Sequence, residues 1–263
     1  MLKNYSEQLS KLNVNIPINL VLSGGGIKCA AHLALIEKIE ELGLQINAIS
    51  GSSGGALVAS LYASGISTQE ILEIFKKTSL FKFSFFSITK AGLFDTFLFK
   101  SIIENKIKNK FSDLEIPIYI TASNMQSGKS RYFSKGQLLK PVLASCAIPG
   151  IFTPIIINKT LYSDGGILDN FPIKPFLKSG LPIIGSYVGK PAKKTPQQLN
   201  STFKVIAHAT YLKAHAAEGF KFAATKMTVS FPLSEYSGLD NKDSEKIFDI
   251  GKGYLDGILN NSF

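Results

Sequence analysis

The stretch ISGSSGGALVASL, residues 49–61, sets two serines among three glycines where one apolar run ends and another begins. Read as Gly51-x-Ser53-x-Gly55, it has the spacing of a nucleophile elbow, a sharp strand-to-helix turn that exposes a serine hydroxyl. Chance alone gives about 0.2 such matches in a chain of this composition, so the weight rests on context. The context fits: the backbone of such a serine is strained, and the positions two before and two after it must lack bulk. The helix that follows aims free N–H groups and its positive dipole end at the serine, which favours an alkoxide or a tetrahedral oxyanion. Ser52, the rival nucleophile, has glycine on only one of its two flanks.

A serine hydroxyl needs a base. Of the three histidines, His32 lies one turn into a helical pattern, and His208 and His215 fall seven apart on one face of a later helical stretch. None sits in a catalytic-looking loop, and no third ligand completes a metal site around the last pair. A carboxylate is the better candidate. TLYSDGGILDNFP places Asp164 after a short strand and before Gly165 and Gly166, which leave room for another backbone. The same pattern also reads as an ordinary aspartate turn. Asp169, in the turn that follows, is expected to brace the loop. The third element is LSGGGIKCA, in which Gly24, Gly25 and Gly26 expose successive N–H groups as an anion-receiving nest. It lacks the spacing of a phosphate-binding P-loop, and Cys29 stands where a dinucleotide fingerprint needs glycine. Beside a serine nucleophile such a loop suits an oxyanion hole, with Lys28 either locking it or attracting a phosphate.

The elements that must hold these residues alternate. IPINLVLSGGG reads as a buried strand entering the glycine loop, AAHLALIEKIEELG as a helix, LQINAIS as a second strand and GGALVASLYASG as a second helix. STQEILEIFKK follows, with Ser67-x-x-Glu70 as a capping box. That alternation predicts a mainly parallel sheet covered on both faces, a three-layer α/β/α sandwich. IPIYITASN, LPIIGSYVG and MTVSFPL are further strands, SGKSRYF is a hairpin turn entering another, residues 197–226 are helical, and SEKIFDIGKGYLDGIL closes as an amphipathic helix. No Pro/Gly/Ser-rich break separates two cores, so one domain over 1–263 is expected, with the motifs in about 18–190 and strand and helices in 191–263.

The 263 residues are 45% hydrophobic and carry a net charge of +10. A basic chain favours phosphate-bearing partners, but no lysine or arginine run marks a nucleic-acid arm, and the surplus reads as a solvated surface spread along the chain. Cys29 and Cys146 lack metal-site spacing and are expected to be buried free thiols, as in a reducing compartment. With no apolar leader and no stretch of spanning length, a soluble, cytosolic protein is expected, with peripheral membrane contact.

With glycine loop, elbow and Asp-Gly-Gly in that order, the sequence resembles the patatin-like phospholipase family. Its pattern of Gly-Gly-Gly-x-Arg/Lys-Gly, G-x-S-x-G and Asp-Gly-Gly/Ala reads here Gly24-Gly25-Gly26-Ile27-Lys28, Gly51-Ser52-Ser53-Gly54-Gly55 and Asp164-Gly165-Gly166. ASCAIPGIFTPI (144–155), GLFDTFLFKSIIENKI and ITASNMQSGKSRYFSKG are also similar to family segments, so the likeness covers roughly residues 18–190. Cys29 departs from it, standing where the family has glycine. The resemblance implies a patatin-type fold and a Ser–Asp dyad without histidine, cofactor, metal or nucleic acid. Ser53 would attack the acyl ester of a phospholipid or lysophospholipid, and Asp164 would carry the proton. The N–H groups of Gly24, Gly25 and Gly26, with Gly54, would hold the oxyanion. An exposed aspartate, with a pKa of about 3.9, is a weak base, so partial burial and a short Ser53–Asp164 contact are expected. An acyltransferase or thioesterase using the same serine, or an inactive lipid-binding protein, are the alternatives. The phenylalanine-rich, lysine-punctuated stretch 79–100 offers interface contact through 81–90, or else a core helix in its second half.

Overall fold

A strand whose residues are apolar without alternation needs cover on both faces. INLVL behaves in this way: all five residues of strand β1 (Ile18–Leu22) are buried. The computed structural model describes residues 4–77, 92–94 and 96–257. Helix α1 (Tyr5–Ser10) precedes β1, which is followed by α2 (Ala30–Glu41), β2 (Ile46–Ser52), α3 (Gly54–Ala63) and α4 (Thr68–Lys77). Next come β3 (Gly92–Phe94), α5 (Thr96–Ile103), β4 (Ile118–Asn124), β5 (Lys129–Phe133) and α6 (Leu139–Ser145). The strands β6 (Gly150–Phe152), β7 (Ile155–Ile157), β8 (Thr160–Asp164) and β9 (Ile183–Tyr187) lead to α7 (Thr202–Glu218), β10 (Met227–Ser230) and α8 (Ser244–Leu255).

The main sheet runs β10-β9-β1-β2-β4-β8-β7, with β5 also paired to β4. The strands from β10 to β4 are mutually parallel, while β5, β8 and β7 join antiparallel, so the sheet is mixed with a parallel body. Alternation along each strand sorts the side chains. Ile18, Leu20 and Leu22 of β1, Ile49 of β2 and Ile184 of β9 enter the larger core with α2, α3, α4 and α8. Val21, Ala48, Ile183 and Tyr187 face the other way, onto Phe171, Ile173 and Phe176. Helix α7 lies on that second side, where His215 meets the Tyr187 hydroxyl. The expected three-layer arrangement is thus present, with short 3-10 turns supplying much of the second layer.

Local signals hold where they are strong. The capping box at the start of α4 forms in both directions: Glu70 N–H donates to Ser67 Oγ at 3.3 Å and Ser67 N–H to Glu70 Oε2 at 3.1 Å. Both cysteines are free, but only Cys29 is fully buried, Cys146 being partly buried at the end of α6. Among the described residues no helix is long and apolar enough to cross a membrane. The expectation of interface contact by 81–90 lies outside the described residues.

Two helices of the larger layer meet through small residues. A Cβ built on Gly251 of α8 falls 3.0 Å from Ala34 Cβ and 3.4 Å from Ala31 of α2. Gly251→Val must therefore push α8 off α2, with an expected loss of about 1–3 kcal/mol. Denaturant titration checks this as a lowered midpoint at unchanged slope.

Candidate active site

The carboxyl edge of the parallel strands is where the chain turns sharply. Strand β2 ends at Ser52, Ser53 takes φ 51 and ψ −126, and α3 begins at Gly54. A non-glycine residue at positive φ is strained, and the surroundings hold it there. The glycines two residues away show why bulk is excluded. A Cβ on Gly51 would meet the Gly55 carbonyl oxygen at 2.6 Å, and one on Gly55 would meet the Leu22 and Ser23 carbonyls at 2.5 and 2.6 Å. The backbone N–H of Ser53 is tied down by Ser145 Oγ at 2.9 Å, and Ser145 itself donates to the Thr121 carbonyl at 2.6 Å.

Register across β4 brings in the carboxylate. Ser52 is paired with Thr121 of β4, and Asp164, running antiparallel on β4's other side, is paired with Ala122. The ends of β2 and β8 therefore stand at one level with β4 between them. Ser53 Oγ donates to Asp164 Oδ2 at 2.6 Å, and Gly166 N–H donates to Oδ1 at 2.7 Å. Gly165 permits this approach, since a Cβ there would collide with the Thr121 carbonyl. Burial raises the Asp164 pKa to about 6, against the lowering effect of the Ser53 and Gly166 hydrogen bonds. At neutral pH it remains a carboxylate, now a better proton acceptor than an exposed aspartate.

The glycine loop lies against the same turn. A Cβ on Gly24 would overlap Asn170 Oδ1 and come within 2.9 Å of Ser53 Cβ. Its N–H is not free, because it donates to the Asn170 carbonyl at 3.1 Å. That corrects the expectation of three open donors: Asn170 pairs with Gly24 from both sides, its Nδ2 donating to the Gly24 carbonyl at 3.3 Å. The N–H groups of Gly25, Gly26 and Gly54 have no acceptor among the described residues. Cys29 fits where a glycine was expected because Gly54 opposite has no side chain, and the thiol is pushed up in pKa by burial.

Gly24, Gly25, Gly26, Lys28, Ser53, Asp164 and Gly166 line one cavity of about 410 Å³, whose remaining wall is mainly apolar, with Ile148, Ile151, Ile167, Ile206 and Leu239. Lys28 is only 5% exposed and has no carboxylate partner among the described residues. Its Nζ donates to Tyr211 Oη at 3.1 Å, and desolvation lowers its pKa to about 8. The rival residues fall elsewhere. Ser52 is fully buried and does not line the cavity. Asp169 accepts from Tyr132 Oη and from Lys221 Nζ, the latter at 2.7 Å, and so anchors the loop. His32 is buried with its ring nitrogens against Ser186 Oγ and the Ser23 carbonyl, and His215 bonds Tyr187. Sequence reading missed three residues. Asn170 and Ser145 lie inside the ILDNFP and ASCAIPG stretches, beside residues already singled out. Tyr211 shares a helical stripe with His208 and His215, at spacings of three and four.

A family model described as patatin-like phospholipase matches residues 20–177. A protein named lysophospholipase NTE1 from Cryptococcus neoformans var. neoformans serotype D (strain JEC21) is 29% identical over 178 residues, covering 62% of this chain and 10% of that protein. The Saccharomyces cerevisiae protein of the same name is 25% identical over 297 residues, covering 98% of this chain and 18% of that protein. The chain thus spans a tenth to about a fifth of the length of these curated relatives. Among solved structures, VipD from Legionella pneumophila superposes with a TM-score of 0.58 at 15% identity, over 91% of this chain and 66% of that one, a likeness of fold.

Asp164 carries a stability consequence of definite sign. Its folded pKa, about 6, lies above its ordinary 3.8, so between those values the folded chain holds the proton more tightly than the unfolded chain. Ionisation of Asp164 therefore lowers stability as pH rises through that window, by about 3 kcal/mol once pH 7 is reached. Asp164→Asn removes that ionisation and is expected to melt at or above the wild-type temperature at pH 7. The difference should shrink towards pH 4, which thermal melts at both pH values measure.

Proposed function

The chain belongs to the patatin-like phospholipase family, and on that premise we propose that it is a lipid acyl hydrolase of phospholipase A or lysophospholipase type. The observation that carries the reading is the 2.6 Å hydrogen bond from Ser53 Oγ to a buried Asp164 carboxylate, beside three backbone N–H groups that have no acceptor among the described residues. Ser53 Oγ attacks the ester carbonyl carbon while its proton passes to Asp164 Oδ2. The N–H groups of Gly25, Gly26 and Gly54 stabilise the tetrahedral oxyanion, with the α3 dipole adding to them. Gly24 serves instead as the close-packed hinge held by Asn170. Collapse breaks the ester C–O bond, and Asp164 returns the proton to the leaving alcohol. Water then attacks the acyl-serine, gives its proton to Asp164 and releases the fatty acid, and Ser53 recovers its hydrogen.

The substrate class follows from the cavity. Its apolar wall suits an acyl chain, and the volume of about 410 Å³ lies within the range of small-molecule sites. Lys28, a buried cation without a carboxylate partner among the described residues, suits a head-group phosphate on the same wall. The lysophospholipase name of the relatives supports this class.

Ser53→Ala and Asp164→Asn are each expected to lower hydrolysis of a lysophospholipid by about 10³-fold or more, and Ser53→Ala to abolish labelling by a fluorophosphonate probe. Mass spectrometry of the released fatty acid reads the first and gel fluorescence the second. Retained activity in Asp164→Asn would overturn the dyad. Because Asp164 must be ionised, kcat/KM on a soluble ester should fall about tenfold per pH unit below about 6. For a phosphate-bearing substrate it should also decline above about 8, where Lys28 loses its charge. Lys28→Met should remove that alkaline limb and raise KM for the phospholipid.

A further inference from the structure

Helix α7 turns polar side chains inward: His208 and Tyr211 are partly buried, His215 bonds the Tyr187 hydroxyl, and Glu218 is buried and accepts from the Asn170 N–H at 2.9 Å. Its outward stripe, Val205, Ala209, Leu212 and Ala216 at spacings of four, three and four, is apolar and exposed. A surface helix of a globular protein shows the opposite arrangement. Val205 is 47% exposed, Leu212 45%, and Phe220 just beyond the helix 74%. Nothing among the described residues covers this face.

Two further observations say what does. The first is position. Ile206, Thr210, Tyr211 and Ala214 of the same helix line the cavity that holds Ser53, so the apolar stripe borders its mouth. The second is charge. Residues 170–217 contain seven lysines and no aspartate or glutamate, so the surplus of +10 is not spread along the chain as expected. All seven are exposed, and the five that follow β9, Lys190, Lys193, Lys194, Lys204 and Lys213, form no ion pair among the described residues. The first three of these five follow β9 at the carboxyl edge of the sheet, beside the glycine loop, and Lys194 lies close enough to Lys28 to lower its pKa. An apolar helical face flanked by unpaired lysines matches a surface that is apolar within and anionic at its boundary.

We infer that the outward face of α7, with the lysines of 190–213, docks this protein on an anionic lipid bilayer with the mouth of the cavity against the membrane. Val205, Leu212 and Phe220 enter the acyl boundary, and the lysines meet the lipid phosphates. The orientation of the mouth rests on the proposed lipid-hydrolase reading; the docking itself does not require Ser53 to react.

Vesicle sedimentation with Ser53→Ala protein separates the two. The probe is phosphatidylcholine vesicles with and without phosphatidylglycerol. Binding is expected to require phosphatidylglycerol and to weaken several-fold from low to physiological salt. Val205→Ser/Leu212→Ser/Phe220→Ser is expected to weaken it about tenfold or more. Lys190→Gln/Lys193→Gln/Lys213→Gln, placed on the Ser53→Ala background as well, should abolish the phosphatidylglycerol preference. In protein with Ser53 intact, the apolar triple variant should hydrolyse a soluble short-chain ester within about twofold of wild type while losing activity on vesicles. Unchanged binding in both variants, or binding indifferent to lipid charge, overturns the docking. So does a wild-type dimer in sedimentation velocity that the apolar variant splits without altering vesicle binding, which would make the face a contact between two copies. Vesicle binding without ester hydrolysis would instead sink the hydrolase reading and leave the docking standing.

Discussion

One buried contact organises this molecule: a serine hydroxyl at the end of one strand donating to a carboxylate at the end of another. The two residues are 111 positions apart in the chain and become neighbours because β4 lies between their strands in a register that levels both ends. The surroundings serve that meeting. Gly51 and Gly55 let the elbow lie against β1, Gly165 lets the Asp164 turn sit on β4, and Ser145 holds the backbone of Ser53. A contact of this kind is demanding, because a carboxylate taken from water keeps its charge only where hydrogen bonds replace its solvation. Two donors do so here, Ser53 Oγ and Gly166 N–H, and the result is a raised pKa rather than a lost charge.

The electrostatics around this pair are asymmetric. Among the described residues, Asp164 is the only carboxylate lining the cavity, and Lys28 is the only cation. Both are shifted toward neutrality by desolvation, Asp164 to about 6 and Lys28 to about 8, so both are charged together over a band of roughly two pH units. The second carboxylate of the loop, Asp169, is removed from the cavity by Tyr132 and Lys221, and Glu218 shares that lysine at 2.6 Å. This buried cluster ties the start of the C-terminal layer to the Asp164–Asn170 loop. Breaking one partner of such a group is more damaging than the group is stabilising, so its worth here lies in fixing geometry. Through the Asn170 N–H bond to Glu218, it also holds the residue that pins Gly24.

Helix α7 thus meets two requirements at once. Its inner side chains close the cavity through Tyr211 and brace the loop through Glu218, which makes that side polar. The apolar residues Val205, Ala209, Leu212 and Ala216 of the helix are left facing outward, beside the mouth. Lys190, Lys193, Lys194, Lys204 and Lys213 precede the helix or lie on it, with no carboxylate between them in the sequence.

What could be read in the chain alone was what is local. The elbow, the glycine loop and the Asp-Gly-Gly turn are short, and their glycines are demanded by sterics within a few residues, so spacing reveals them. The strands are legible for the same reason: INLVL and IIGSY lack a regular polar alternation, and every residue in them is buried because a parallel sheet covers both faces. What packing alone decided is what depends on distant partners. That Gly24 N–H is occupied follows from where Asn170 lands, 146 positions away. That Asp164 is buried enough to reach a pKa of about 6 follows from β4 and β8 pairing. The polarity of α7 was illegible because a helix sequence states which residues share a stripe, not which stripe faces inward. That choice is made by the free energy of contacts formed only when the chain has closed on itself: here Lys28, Tyr187 and Asn170 claimed the polar stripe.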